Sequence, residues 1–472
     1  MEKKKSQIVI IGAGPGGYAA AFRAADLGLE VTLIDPEANP GGVCLYRGCI
    51  PSKSLLHLAK VKQETQHASQ WGVSFEDPKL DIEKISKWKD KVVSKLTAGL
   101  GQLAKGRNIQ YIRGKAKFKS ETALEIEKND GKKFILEFQK AVIATGSIPA
   151  ALPSVEVDHN VIIDSTDALE LKAIPKRLLI IGGGYIGLEL GSVYAALGSK
   201  VSLAEMTSGF LPGADRDLVE VFEAANEGLF EELYFKTKVE KAEISKGKAK
   251  VVLITEKRKN VKEFDQVLIA VGRKPNSKGL NLENANLETD EQGFLNVDKQ
   301  LKTKIDNIYA IGDIIGEPLL AHKATHEGRA VAEVLARKSG AGYDAKVFPG
   351  IVFTNPEIAW CGLTESQAKE QGLEVEVVTF PWTASGKAVS INGENGLTKL
   401  IFDPKTDRLV GGAVAGKDAG VLIPQICLAI EMAATAQEIA STIHPHPTLS
   451  ETIMEAAELY LGSATHLQNK LE

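Results

Sequence analysis

Cysteine is scarce in this sequence, with four residues in 472. A chain of that length buries enough core to fold without disulfide staples. Charge of one sign is missing as well: 57 basic side chains stand against 61 acidic ones, for a net charge of −4. That balance offers no attraction to a nucleic acid or a membrane surface. No apolar run is long and clean enough to cross a bilayer. Residues 178–198 come nearest, and Gly182, Gly183, Gly184 and Glu189 interrupt them. The opening MEKKKSQIVIIGAG is basic and then apolar, yet it lacks the small-residue cleavage site of a signal peptide. A cytoplasmic protein with no export signal and no transmembrane helix is expected. No low-complexity linker divides it, and its length predicts roughly two to four domains.

What is present is an internal repeat. QIVIIGAGPGGYAAAFRAADLGLEVTLID (7–35) aligns without gaps on RLLIIGGGYIGLELGSVYAALGSKVSLAE (177–205), with ten identities. Gly12, Gly14 and Gly17 fall on Gly182, Gly184 and Gly187, and Asp35 falls on Glu205. Each copy reads as an apolar strand, a glycine turn, a helix, and a second strand ending in an acid. The first Gly makes the tight turn, the second lets backbone approach a pyrophosphate, and the third lets helix and strand pack closely. The helix N-terminus offers its unpaired N–H groups to phosphate, and the acid can bond a ribose 2′-hydroxyl. A relic copy without ligand is the competing reading; two copies in full context favour two bound dinucleotides. Glu205 repels a 2′-phosphate, and MTSGFLP (206–212) holds no cation to offset it, so NAD is preferred over NADP.

These patterns predict an α/β protein with two Rossmann-like dinucleotide-binding domains and a C-terminal α+β domain. KAVIATGSIP (140–149) and VLIAVGRKPN (267–276) are similar strand–Gly–Pro segments, each closing one unit. Residues 115–140 alternate polar and apolar around NDGKK, as in a small antiparallel sheet. IDNIYAIGD (305–313) is one more strand, ending in Gly-Asp. The expected domains are 1–152, 153–276, 277–345 and 346–472. In the last, strands are expected near 347–354, 374–380, 398–402 and 408–415, and helices near 364–371, 419–432 and 435–441.

Two of the four cysteines, Cys44 and Cys49, share the segment GGVCLYRGCIPSK (41–53). In a reducing compartment such a pair is more often catalytic or metal-binding than structural. A zinc site needs about four ligands; Cys361 and Cys427 are isolated in sequence, His57 is the only nearby imidazole, and no metal is expected. Inert thiols and a structural disulfide remain as alternatives to a redox pair. Residues five apart in an ideal helix have Cα atoms roughly 8–9 Å apart, while a disulfide needs less than about 7 Å. The pair can therefore bond only where the chain leaves ideal helix; Gly41, Gly42 and Gly48 supply that freedom, and Pro51 limits helix entry. Near the C-terminus, Thr448 and Glu451 of HPHPTLSE (444–451) fit a helix-capping box, which leaves His444 and His446 as loop residues. The chemical alternative is an imidazole base oriented by Glu451, since a thiol reacts only once deprotonated.

CLYRGC, with GG before it and IPSK after it, resembles the redox motif of the two-cysteine pyridine nucleotide–disulfide oxidoreductases. The resemblance continues through ATG (144–146), the second glycine motif with Glu189, YAIGD (309–313), LAHKA (320–324) and HPHPTLSE, over essentially the whole chain. Within that family the sequence is most similar to members that oxidise dihydrolipoamide. The resemblance implies that Gly12, Gly14, Gly17, Asp35 and Asp313 bind FAD, and that Gly182, Gly184, Gly187 and Glu205 bind NAD. Thr145, Gly146, Gly272 and Ala321 belong to the cofactor sites, and Lys53 pairs with Glu189 beside the flavin. Cys49 faces the flavin, Cys44 exchanges with substrate, and His446, oriented by Glu451, is the base. It further implies a homodimer with shared active sites, joined through the C-terminal domain. The implied partner is a lipoylated protein of a 2-oxo acid dehydrogenase or glycine cleavage complex. Alternatives are another NAD(P)H-dependent disulfide or quinone reductase, or a structural component of a larger complex. The tail GSATHLQNKLE lacks the extra redox residue that two other branches carry. Asp35 where relatives often have Glu, and Tyr46-Arg47 where they often have Asn, are departures. Cys361 and Cys427 are assigned no role.

Overall fold

The structure is a computed structural model and describes residues 2–256 and 258–468; the last four residues of the C-terminal tail lie outside it. The first unit contains β1 (Lys3–Ile11), α1 (Pro15–Asp26), β2 (Val31–Asp35), α2 (Gly42–Arg47), α3 (Cys49–His67), α4 (Ile82–Gly106), β3 (Gln110–Ser120), β4 (Ala123–Lys128) and β5 (Lys133–Ile143). Strand β1 pairs in parallel with β2 and β5, and Ile8 to Ile11 are buried because both its faces are covered: Ile8 and Ile10 pack with α1, Val9 and Ile11 with residues of β3–β5. A strand covered on both faces needs a continuous apolar run rather than alternation. Pro15 sets the first helical φ of α1. The alternating segment after residue 115 forms the meander β3–β4–β5, antiparallel as its pattern predicts.

Strand β6 (Ser147–Pro149) leads out of this unit, and β7 (Ile162–Ile163), α5 (Ser165–Glu170), β8 (Arg177–Ile181), α6 (Tyr185–Leu197), β9 (Lys200–Ala204), α7 (Arg216–Ala225) and β10 (Glu232–Tyr234) open the second. An antiparallel layer of β11 (Lys238–Ser245), β12 (Lys248–Ile254) and β13 (Lys259–Phe264) precedes β14 (Gln266–Ile269) and the exit strand β15 (Arg273–Pro275). The second sheet is parallel throughout, in the order β10–β9–β8–β14–β7. The two similar strand–Gly–Pro segments meet: β6 and β15 pair antiparallel and join the units. Beyond them, β16 (Ile308–Ala310) returns to the first sheet beside β5, and α8 (Ala321–Leu335) packs on α1.

The C-terminal sheet runs β17 (Gly350–Val352), β18 (Glu357–Gly362), then β21 (Arg408–Gly416), β20 (Leu397–Asp403) and β19 (Glu376–Pro381), all antiparallel. Helices α9 (Glu365–Gln371), α10 (Gly386–Ser390), α11 (Ala419–Glu431), α12 (Ala436–Ser441) and α13 (Glu451–Tyr460) complete it. The fold is the expected mixed α/β architecture with a C-terminal α+β unit. In this sheet one strand escaped the sequence pattern: β18, an inner strand whose apolar Ile358-Ala359 and Trp360-Cys361 lack clean alternation; in the second unit the layer β11–β13 was not expected either. Among the described residues no helix is long and apolar enough to cross a membrane.

The repeat imposes the same steric condition twice. A Cβ on Gly17 would lie 1.9 Å from the Gly12 carbonyl oxygen, and one on Gly187 would lie 2.1 Å from that of Gly182. Gly17→Ala is expected to lower the urea midpoint by the equivalent of about 1–3 kcal/mol, the usual cost of overpacking. Gly99→Ala, inside α4 with open space around it, is expected to add about 0.5–1 kcal/mol instead.

Candidate active site

The redox segment is seated on the first glycine turn. The Gly41 N–H donates to the Ala13 carbonyl at 2.8 Å, and a Cβ on Gly42 (φ +57) would lie 2.4 Å from the Gly14 Cα. Cys44 therefore enters α2 directly beside the dinucleotide turn. Gly48, at φ −147 and ψ −115, then breaks the helix before Cys49 starts α3, so the two cysteines do leave ideal helical geometry. A Cβ there would meet the Val43 carbonyl oxygen at 2.9 Å.

Both cysteines are half-buried free thiols. Interaction with Cys49 and burial push Cys44 up. Cys49 is lowered to about 7, first by Cys44 and then by Lys53, against burial and Glu189. The Lys53 ammonium bonds Glu189 at 2.8 and 3.1 Å and lies 4.6 Å from the Phe353 ring centroid. Glu189 is buried and also accepts from the Phe353 N–H at 3.0 Å. These are not unrelated surface charges. Tyr46 and Arg47 hold the loop after β2: the Tyr46 hydroxyl bonds Asn39 backbone at 3.0 and 3.2 Å, and Arg47 pairs with Glu37.

A cavity of ≈ 640 Å³ gathers Gly12, Gly14, Asp35, Cys44, Cys49, Lys53, Thr145, Gly146, Glu189, Asp313 and Ala321. Asp35 accepts from the Ala13 N–H at 2.7 Å, and Glu205 accepts from the Gly183 N–H at 2.7 Å. Each acid thus pins its own glycine turn, a task the sequence does not reveal. Glu205 and the turn of Gly182, Gly184 and Gly187 lie outside that cavity, as does Gly272. The sequence also missed how Asp313 is fixed. Ser147 donates to it, Arg273 donates to Ser147 at 2.7 Å, and the Gly312 N–H donates to Glu327 at 2.7 Å. Glu327 is buried against Lys323 at 2.9 Å. Thr145 Oγ1 donates to the Asn276 carbonyl at 2.9 Å, across the β6–β15 junction.

His446 and Glu451 line a different cavity, of ≈ 440 Å³. Glu451 divides its carboxylate: one oxygen meets His446 Nδ1 at 2.9 Å, the other accepts the Thr448 N–H at 2.7 Å. The Thr448 hydroxyl turns to the Pro445 carbonyl instead of closing a capping box. Burial opposes ionisation of Glu451, but the Thr448 N–H and His446 outweigh it and hold its pKa below the usual range. His444 is tied to the Thr442 carbonyl at 2.7 Å and to Gln425, whereas the His446 side chain is 75% exposed. A second pair unsuspected from sequence, His466 with buried Glu455, lines this same cavity. Among the described residues one His/Asp group has metal-ligand spacing, His159 with Asp164 and Asp167. Asp164 and Asp167 there close the capping box of α5, and His159 bonds Asp167.

A thiol pair docked on a dinucleotide turn has one evident chemistry, the passage of electrons between a disulfide and the molecule that turn holds; the class is a disulfide oxidoreductase. The chain belongs to the pyridine nucleotide-disulphide oxidoreductase family, whose pattern matches residues 6–328, with its dimerisation domain at 348–457. It is 48% identical over 467 residues to the dihydrolipoyl dehydrogenase of Vibrio parahaemolyticus, covering 99% of this chain and 98% of that one. The Bacillus subtilis dihydrolipoyl dehydrogenase is 40% identical, with 98% of each covered. Among solved structures, LpdA of Mycobacterium tuberculosis superposes with a TM-score of 0.89 at 26% identity, covering 96% of this chain and 99% of that one. The HOCl-induced flavoprotein disulfide reductase RclA of Escherichia coli gives 0.83 at 30%, covering 96% and 99%.

Lys53 favours the Cys49 thiolate, so Lys53→Met is expected to raise that thiol's midpoint from near 7 by about one unit or more. A pH titration of iodoacetamide alkylation of the reduced protein, resolved by peptide, measures it. An unmoved midpoint would show that Cys44 alone sets the thiolate.

Proposed function

We propose that this enzyme oxidises protein-bound dihydrolipoamide to lipoamide and delivers the electrons, through a Cys44–Cys49 disulfide and FAD, to NAD. The observation that carries it is the seat of the thiol pair on the first glycine turn, in a chain matched end to end by dihydrolipoyl dehydrogenases. Both cofactors fit the residues present. At Gly12 (φ +98) and Gly17 any side chain would collide with backbone, so the turn stays open to a pyrophosphate. Gly184 caps α6 with no side-chain bond and nothing within 4 Å of its missing Cβ, leaving free N–H groups for the second dinucleotide's phosphates. Asp35, Asp313, Thr145, Gly146 and Ala321 would hold FAD, and Glu205 and Gly272 would hold NAD. When bound, these cofactors supply the relay from thiol to nicotinamide.

The protein's own part is thiol exchange. His446 Nε2 takes a proton from a substrate thiol, and Glu451 on Nδ1 fixes the tautomer and steadies the imidazolium. The substrate thiolate attacks Cys44 Sγ, breaking the disulfide and releasing Cys49 as a thiolate. The second substrate thiol displaces Cys44, leaving lipoamide oxidised and both cysteines reduced. Cys49 is suited to remain ionised near neutral pH because of Cys44 and Lys53.

In one chain His446 and the thiol pair line separate cavities, which supports a site completed by the His446 of a second copy in a homodimer. The proposal divides the chain into 1–152, 153–276, 277–345 and 346–472. The return of β16 to the first sheet supports a role for 277–345 in the FAD site. The partner is a lipoylated protein, and a reducing cytoplasm suits an exchangeable thiol pair.

Steady-state NAD reduction by dihydrolipoamide, run beside NADP, tests the reaction. Activity with NAD and its loss in Cys44→Ser are expected; equal rates in Cys44→Ser would overturn the dithiol route. His446→Gln is expected to lower kcat by about 10²–10⁴-fold, the usual loss of a general base. Co-expressed Cys44→Ser and His446→Gln chains distinguish the assembly. A shared site regains activity in the hybrid dimer, because one chain supplies the intact cysteine and the other the intact histidine; sites built within one chain regain none.

A further inference from the structure

The two cysteines left without a role meet in the C-terminal domain. Cys361 lies on β18 and is 1% exposed; Cys427 lies on α11 and is half-buried. Cys361 is in register with Gly412 on β21. A Cβ on Gly412 would meet Ile426 Cγ2 at 2.9 Å, and a Cβ on the adjacent Gly362 would meet Ile430 Cδ1 at 2.9 Å. Two glycines therefore let α11 down onto the sheet at the level of Cys361, and Cys427 sits between those two isoleucines. Cys427 packs against the buried cluster that holds Cys361, and the two thiols shift each other's proton affinity, Cys361 up and Cys427 down, as Cys44 and Cys49 also do. Residues Val421, Leu428 and Met432 form an exposed stripe about 100–140° around the helix from Cys427, which leaves the thiol on the flank that packs against the sheet.

We infer that Cys361 and Cys427 are a second redox pair, which a peroxide converts to a disulfide stapling α11 to β18, an inner strand of the C-terminal sheet. Cys427 meets the oxidant, being the more exposed of the two and lowered by Cys361. Its thiolate displaces one hydroxyl from hydrogen peroxide, giving a sulfenic acid, and protonation of the leaving hydroxide gives water. Cys361 then attacks that sulfur, the S–S bond forms, and a second water leaves. In sum, two thiols and one peroxide give one disulfide and two waters. Burial of Cys361, which neither cysteine at the glycine turn shares, screens its sulfur from thiol exchange. The inference rests on this sulfur pair and not on the dihydrolipoamide reading.

The test treats the flavin-loaded protein with excess hydrogen peroxide, alkylates the remaining thiols in denaturant without reductant, and maps peptides by mass spectrometry. A cross-linked peptide joining Cys361 to Cys427 is expected, lost on dithiothreitol treatment. In Cys427→Ser, where the cross-link cannot form, Cys361 is expected alkylated. Recovery of both residues as alkylated thiols in peroxide-treated wild type would overturn the inference. So would Cys427 carried to sulfinic acid with Cys361 alkylated. The wild-type result decides the question even if the variant folds poorly.

Discussion

Helix α1 can start over β1 only because no Cβ stands on Gly17, where it would lie 1.9 Å from the Gly12 carbonyl oxygen. That approach turns the helix N-terminus toward the cavity that Cys44 and Cys49 also line. It also exposes the Gly14 backbone, against which Gly42 packs so closely that Gly42 can carry no side chain. The redox cysteines inherit their position from this contact, and Gly48 brings Cys49 back to Cys44. The second unit repeats the first approach at Gly182 and Gly187, and there the Leu211 N–H bonds the Gly183 carbonyl at 3.0 Å, but that segment carries no cysteine. One local geometry thus builds two cofactor sites, and a single glycine–glycine contact makes one of them a thiol site.

Buried charge does the complementary work of fixing loops that backbone packing leaves free. Glu189 ties Lys53 to the backbone of Phe353, joining the first unit, the second and the C-terminal sheet. Glu327, paired with Lys323, holds the Gly312 N–H and so the loop of Asp313. Lys399 is fully buried among Asp215, Asp217 and Glu365, and Asp215 accepts the N–H groups of Glu365 and Ser366 at the start of α9. Such pairs offset their desolvation only when their remaining bonds are satisfied. Their evident use here is to set how the units lie on one another, which decides the distance between thiols and cofactor turns.

Glycine turns, acids and the redox segment were legible in the sequence because each acts within a short window. Their contacts are fixed by φ, by missing Cβ atoms and by strand–turn–helix order, all local quantities. Strand β18 was not legible: it is six residues long, buried in mid-sheet, and lacks clean alternation. The reach of Glu451 to both His446 and Thr448 was visible as two competing patterns, and the structure shows that the carboxylate serves both.

The sequence by itself determined the two dinucleotide turns, the thiol pair and the identity of the acids, because spacing along one chain defines them. Only the tertiary structure decided which distant side chains share an environment. It set Arg273 on Ser147 and Ser147 on Asp313, His466 on Glu455, and Cys427 against the cluster of Cys361. Those meetings depend on how sheets and helices from separate segments pack. Packing energy is spread over many weak apolar contacts, none of which marks its partner in the sequence.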